Sequence, residues 1–238
     1  MPANASADAQ RSPQFPADAA RKPLTREEIL RTGLRLVDQE GLEALTMRKL
    51  AQALRVDPMT IYRHVENKEA LLSGLAEVLW AEVQVPEDET NWEVILRSLA
   101  HALRGLARAH PHASVLLLQS SPLPTAMLCL FAGALGRLQQ AGFERKRAAE
   151  TLNAVFSYAI GYAMMELAAL PLNQPAQPNQ TPTDFERIAQ IMRVLPRDAP
   201  PHLAEVAYLM CVDCDLDAQF AFGLDLLLTG LRARPSQQ

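Results

Sequence analysis

At 238 residues, 49% of them hydrophobic, the chain can close a sizeable core, as one large domain or as a small one joined to a larger one. A formal net charge of −4 excludes a protein that coats nucleic acid through overall charge, so any such contact needs a local basic patch. Three cysteines make no disulfide framework and point to a reducing cytoplasm, and there is neither an export signal nor an apolar run of about 18 residues to span a membrane.

Residues 1–23 are rich in Ala, Pro, Ser, Asp and Gln and read as a disordered arm. Its Arg21 and Lys22, with Arg26 just beyond, either touch a phosphate backbone or belong to a solvated tail. Order is expected from Leu24: Thr25 and Glu28 have capping-box spacing, and Leu24 and Ile29 that of a hydrophobic staple. Ile29, Leu30, Leu34, Leu36 and Val37 recur at helical intervals until Gly41. A second helix fits Met47 to Leu54, a third Pro58 to His64, and a fourth Lys68 to about Gln84. Pro86 and the acidic run that follows it mark a break, giving a head over 24–68, a connecting helix over 69–85 and a body over 86–234.

The body reads as helices at 92–109, 112–120, 124–141, 145–170, 184–195, 202–211 and 215–233. No segment alternates with strand composition, so the fold class is all-α. Four prolines between Pro171 and Pro182 forbid a helix there, and 171–183 is expected to be a mobile surface loop.

The second and third helices are short and separated only by Arg55-Val56-Asp57, which fits a helix-turn-helix whose second member enters the major groove of DNA. Asp57 suits an N-cap with Pro58 at the first helical position. Ala51, Leu54, Val56 and Ile61 can fix the angle between the helices, leaving Pro58, Met59, Thr60, Tyr62, Arg63 and His64 on or near the outer face. Arg63 and Thr60 suit phosphates or base edges, while Pro58, Met59 and the Tyr62 ring can pack on thymine methyls. From Arg48 to Lys68 five basic residues stand against two acidic ones, a local charge of +3 in an otherwise acidic chain.

The run Leu45-Thr46-Met47-Arg48-Lys49-Leu50-Ala51-Gln52-Ala53-Leu54, followed by Thr60-Ile61-Tyr62-Arg63-His64-Val65-Glu66-Asn67-Lys68-Glu69-Ala70-Leu71-Leu72, resembles the DNA-binding head of the tetracycline-repressor (TetR) family. Phe220 to Leu231 resembles the last helix of the same subfamily. The resemblance implies a ligand-released repressor that grips a palindromic double-stranded operator as a homodimer. It further implies that Arg48 reads a base edge, that Thr60, Tyr62 and His64 meet backbone and bases, and that Lys68 and Thr46 meet phosphates. Two departures stand out: Pro58 replaces a base-reading glutamine of the tetracycline repressors and Arg63 replaces a tryptophan, so the operator sequence is expected to differ.

For the body, the resemblance implies a dimer interface on the last helix through Phe220, Leu224, Leu227, Leu228 and Leu231. The same spacing fits an internal core helix. Leu99 and Leu117 stand where the tetracycline repressors carry a drug-binding asparagine and a metal-ligating histidine, which argues for another, apolar effector. The residues expected around it are Leu99, Leu103, Leu117, Met127, Phe131, Phe156 and Met165, with His101, Gln119, Tyr158, Tyr162 and Glu166 as polar anchors. Packed core explains the same residues. Cys211 and Cys214 have C-x-x-C spacing without a second pair, and His110-Pro111-His112 lacks metal-pair spacing. No catalytic constellation, metal site or cofactor loop is recognised. An activator or effector-less regulator, and more remotely a helical enzyme or ligand carrier with a vestigial head, are the alternatives.

Overall fold

In the computed structural model, which describes residues 23–86, 88–119, 122–169, 202–203 and 215–233, local capping decides where each head helix begins. The helix α1, Arg26–Glu40, opens with Thr25 Oγ1 accepting from the Glu28 N–H. It closes at Gly41, whose φ of 88° only glycine adopts without strain. A single 3-10 turn at Leu42–Ala44, which the apolar periodicity does not announce, leads to α2, Met47–Leu54, capped by Thr46. Arg55 then takes a left-handed conformation, φ 55°, which reverses the chain into α3, Pro58–Tyr62, capped by Asp57. Asn67 caps α4, Lys68–Ala81.

Ile29, Leu34, Val37, Leu45, Leu50, Ala51, Ile61, Val65, Leu71 and Leu75 form the buried centre of the head. The apolar face of α4 continues through Ala76, Leu79 and Trp80, so head and body share one hydrophobic core rather than two. At Gly74 α1 and α4 approach so closely that a Cβ would stand 2.6 Å from Leu30 Cδ2.

The body comprises α5 (Trp92–Ala109), α6 (Leu116–Gln119), α7 (Thr125–Gln140), α8 (Arg145–Ala169) and α9 (Leu216–Ala233). The main packing is α5 along α8, with α9 against both and α7 bridging α8 to α4. The helix expected over 112–120 is shorter than its apolar content suggests. Residues 111–115 are turns, because the His110 carbonyl accepts from both Ala113 and Ser114 N–H groups beyond Pro111. The first turn of α7 follows Pro124, which offers no capping side chain. Glu77 of α4 supplies one across the interface: its carboxylate accepts from the Thr125 N–H at 2.6 Å and the Ala126 N–H at 3.0 Å. Burial alone would raise this carboxyl's pKa, but those hydrogen bonds and the charge of Arg26 hold it below the usual value.

A buried ionic cluster ties α5, α8 and α9 together. Arg104 Nε lies 2.8 Å from Glu166 Oε2, its Nη2 donates to the Leu216 carbonyl at 3.0 Å, and its Nη1 reaches Asp217 at 2.8 Å. Arg108 adds a second cation to Glu166 at 2.6 Å. The Arg104 guanidinium also stacks on Phe220, 4.6 Å from the ring centre. Nearby, Tyr158 donates to the Phe220 carbonyl at 2.7 Å and lies flat against Gly223, where a Cβ would meet its hydroxyl at 2.3 Å. Glycine is required there by close approach.

Among the described residues there is no strand, and no helix is long and apolar enough to cross a membrane. The N-terminal arm up to Lys22, the loop 171–183, the helix expected at 184–195, most of that at 202–211, and Cys211 and Cys214 lie outside the described residues.

Candidate nucleic-acid interface and body cavity

The four caps of the head leave one surface built from α2, α3 and the turn after it. Arg48 stands exposed in the first turn of α2. Met59 and Tyr62 are among the most exposed large side chains of the head, at 66% and 43%, while Pro58 and Thr60 are half-buried beside them. The third helix ends at Tyr62 and not at His64. The Ile61 carbonyl accepts from both His64 and Val65 N–H groups, so Arg63 and His64 project from a turn. Ile61 and Val65 are buried behind them and fix that turn to the head core.

The charges divide into committed and available groups. Lys49 is paired with Glu40. Arg48, Arg63 and Lys68 form no ion pair among the described residues and are all exposed. An exposed row of unpaired cations beside exposed apolar side chains matches what a phosphate backbone and a groove floor require. The Thr46 hydroxyl already accepts from the Lys49 N–H at 3.1 Å, and its own proton is left to donate to a phosphate.

In the body most of the expected ligand residues belong to one packed cluster: Phe131 meets Phe156 at 5.5 Å between ring centres, and His101, Tyr158 and Tyr162 surround Phe220. Leu99, Leu103 and Leu117 are buried in the shared core. Glu166 is consumed by Arg104 and Arg108, so it is no free carboxylate. Tyr158 and Tyr162 spend their hydroxyls on the Phe220 and Leu216 carbonyls, and His101 packs edge-on against Phe220. Gln119 is exposed, and Met165 is 68% exposed, facing away from the core. Met127, Phe131 and Phe156 are half-buried, and the two phenylalanine rings form a triangle with Trp80, with ring centres 6.2, 6.0 and 5.5 Å apart.

The expected dimer residues divide between the buried stripe of α9 and its edge. Phe220, Leu224 and Leu228 are fully buried within the protomer, because they are the stripe of α9 that packs on α5 and α8. Leu227 and Leu231 lie half-buried at its edge. The outward stripe of α9 carries Phe222 and Leu226 instead, 66% and 59% exposed, and α8 presents Met165.

A cavity of about 890 Å³ opens between the end of α4 and α7, lined by Trp80, Ala81, Val83, Gln84, Val85, Ala126, Cys129, Leu130, Gly133 and Arg137. None of these residues is expected from the sequence as a ligand contact. The signal that could have found them is the spacing of Ala126, Cys129, Leu130, Gly133 and Arg137, which puts small side chains on one face of α7. Arg137 donates to the Pro86 carbonyl at the rim. Trp80 is buried in the wall and its indole N–H has no acceptor among the described residues.

Comparison with known proteins agrees with this arrangement. Residues 29–75 match the model of the bacterial regulatory proteins of the tetR family, and residues 85–234 match the tetracyclin repressor-like C-terminal domain. The chain is 29% identical over 217 residues to the tetracycline repressor protein class E of Escherichia coli, covering 89% of this chain and 92% of that one. A possible TetR family transcriptional regulator from Streptomyces coelicolor A3(2) superposes with a TM-score of 0.70 at 31% identity, over 87% of this chain and 98% of the other. The ActR protein of Streptomyces coelicolor, in complex with actinorhodin, gives a TM-score of 0.70 at 26% identity over 89% and 96% of the two chains.

Proposed function

Because this chain belongs to the tetR family of bacterial regulatory proteins, we propose that it is a DNA-binding transcriptional repressor, released from a palindromic operator by a small apolar ligand other than tetracycline. The observation that carries the reading is the head surface, where Arg48, Arg63 and Lys68 are exposed and unpaired around the short helix pair. In it Arg48 makes a bidentate contact to a guanine edge, and Pro58, Met59, Thr60, Tyr62, Arg63 and His64 lie in the major groove. Thr46 and Lys68 hold phosphates and thereby set the register. Pro58 has no amide to pair with adenine, so the base preference at that step rests on its neighbours.

Each head is a weak reader by itself. Two heads become a strong one when the bodies pair two-fold, through Met165 on α8 and Phe222 and Leu226 on α9. The effector enters the α4–α7 cavity, whose lining side chains are apolar except for Gln84, Arg137 and the Cys129 thiol. A ring system carrying one or two carbonyl or phenol oxygens has the right chemistry for that wall. Repression then ends by population shift, as the ligand favours a position of α4 in which the two recognition helices no longer match successive grooves. The fold's relatives are regulators, and the reading adds no catalytic step and no resident cofactor. It places the protein in the cytoplasm, where the operator is.

Selection from a random-sequence duplex library is expected to return an inverted repeat with half-site centres about one helical turn, or a multiple of it, apart. Recovery of sequences with no shared half-site would reject the reading.

A further inference from the structure

At the junction of head and body, His110 stands between two carboxylates from different helices. Its Nδ1 lies 2.9 Å from Oδ2 of Asp38, in the last turn of α1, and its Nε2 lies 3.0 Å from Oε2 of Glu82, at the end of α4. The ring has little freedom. His110 ends α5, its N–H bonds to the Leu106 carbonyl, and its own carbonyl accepts from Ala113 and Ser114. Its side chain is only 15% exposed. The neighbouring His112 points Nδ1 at the Asp38 carbonyl, 3.1 Å away, which adds a second tie from the same segment to α1.

We propose that His110, in its doubly protonated form, is a positioning residue that latches the head to the body and passes movement of α4 on to α1. Carboxylates only accept hydrogen bonds, and a neutral imidazole has one N–H to give. Two carboxylate partners therefore require the cation. The other Asp38 oxygen, Oδ1, is buried with no hydrogen-bond partner among the described residues, so that charge depends on His110 for compensation.

The other charged groups around the ring are already engaged or lack an acidic partner here. Arg31 of α1 pairs with Glu27 at 2.7 Å, and Arg35 donates to the Thr32 hydroxyl at 2.8 Å. Glu27, Arg31 and Arg35 line the same groove as Asp38, Glu82 and His110. Burial works against the imidazolium, but the hydrogen bonds to Asp38 and Glu82 outweigh it and hold the ring above its ordinary value of 6.5. The sign follows. A raised value means that the latch is fully engaged below 6.5 and is lost as pH rises through the folded-state value.

The position of the latch gives it its use. Ala81, in the last turn of α4, walls both this groove and the α4–α7 cavity, and Glu82 is the next residue. A molecule in the cavity that displaces that turn carries Glu82 away from Nε2, removes one of the two acceptors and frees the proton. By linkage, losing the proton loosens the same turn. The consequence for DNA rests on the reading of the head given above; the latch itself does not.

The test uses the full chain and nitrogen-detected NMR titration of its imidazoles, with His110→Gln to assign the signal. Both His110 nitrogens are expected to be protonated below pH 6.5, with a titration midpoint above 6.5 that Glu82→Gln lowers. Amide exchange at the ends of α1 and α4, corrected for intrinsic rate, should accelerate above that midpoint in the wild type. In His110→Gln it should be fast at every pH. A midpoint at or below 6.5, or one unmoved in Glu82→Gln, overturns the latch. Glu82→Gln decides the matter even if His110→Gln fails to fold, since Glu82 is half-exposed at a helix end. If the latch titrates as stated while affinity for the selected operator is flat across the same pH range, the link to DNA is overturned and the latch is not.

Discussion

Arg104→Met is expected to remove about 3–5 kcal/mol of folding stability, because it leaves a carboxylate buried with its principal partner gone. The Glu166 side chain is 2% exposed and Arg104 is its bidentate partner, whereas Arg108 approaches from a half-exposed position. Methionine fills much of the volume but neutralises nothing. Arg108→Met is the informative control. Glu166 then keeps Arg104, and the loss should fall to about 1 kcal/mol or less, the range of a solvent-accessible pair. Urea unfolding of both variants at one fixed protein concentration separates the two cases. Equal losses would show that the cluster is held by its surface cation and not by the buried one.

The double variant Phe222→Asp with Leu226→Asp is expected to make the protein monomeric and to weaken operator binding by about 10²–10⁴-fold, the advantage lost when two linked sites become independent. Both side chains point outward one turn apart on α9, so the substitutions leave the protomer core untouched. Sedimentation velocity and binding to the full and half operator measure the two effects. A monomer that keeps full affinity for the complete operator would refute pairing through this face. So would a variant that stays dimeric.

The contrast between these two stripes of α9 shows where sequence stops being informative. Phe220, Leu224 and Leu228 recur at helical spacing, but so do Phe222 and Leu226, and the helix is apolar nearly all round. Which stripe meets the protomer's own core depends on Tyr158 fitting against Gly223, a contact between residues 65 positions apart. Glu166 is a similar case. Its partner Arg104 lies 62 residues earlier, so nothing near Glu166 in sequence reveals that its charge is already neutralised. The cavity is illegible in the sequence for the same reason, since its walls come from the end of α4 and from α7, and neither segment looks like a site alone.

The head was legible because its determinants are local. Thr25, Thr46, Asp57 and Asn67 each cap the helix that begins at the next residue, and Thr25 and Asp57 are readable from spacing and residue type. The length of the third helix was not, because the Ile61 carbonyl can accept from either a helical or a turn N–H, and the buried Val65 selects the turn. His110 shows the limit in another way. Its sequence neighbourhood, His-Pro-His, rules out a helical metal pair but says nothing about Asp38 and Glu82, which arrive from 72 and 28 residues away.

The head is proposed to read base sequence through Arg48. This reading is tested most directly by fluorescence-anisotropy titration of the selected duplex and of a scrambled duplex, with wild type and Arg48→Ala, at two salt concentrations. Tight binding of the selected duplex is expected, weakened by about 1–3 kcal/mol in Arg48→Ala, with the scrambled duplex bound weakly by both proteins. Equal affinity for the two duplexes, unchanged by the substitution and varying only with salt, would contradict it.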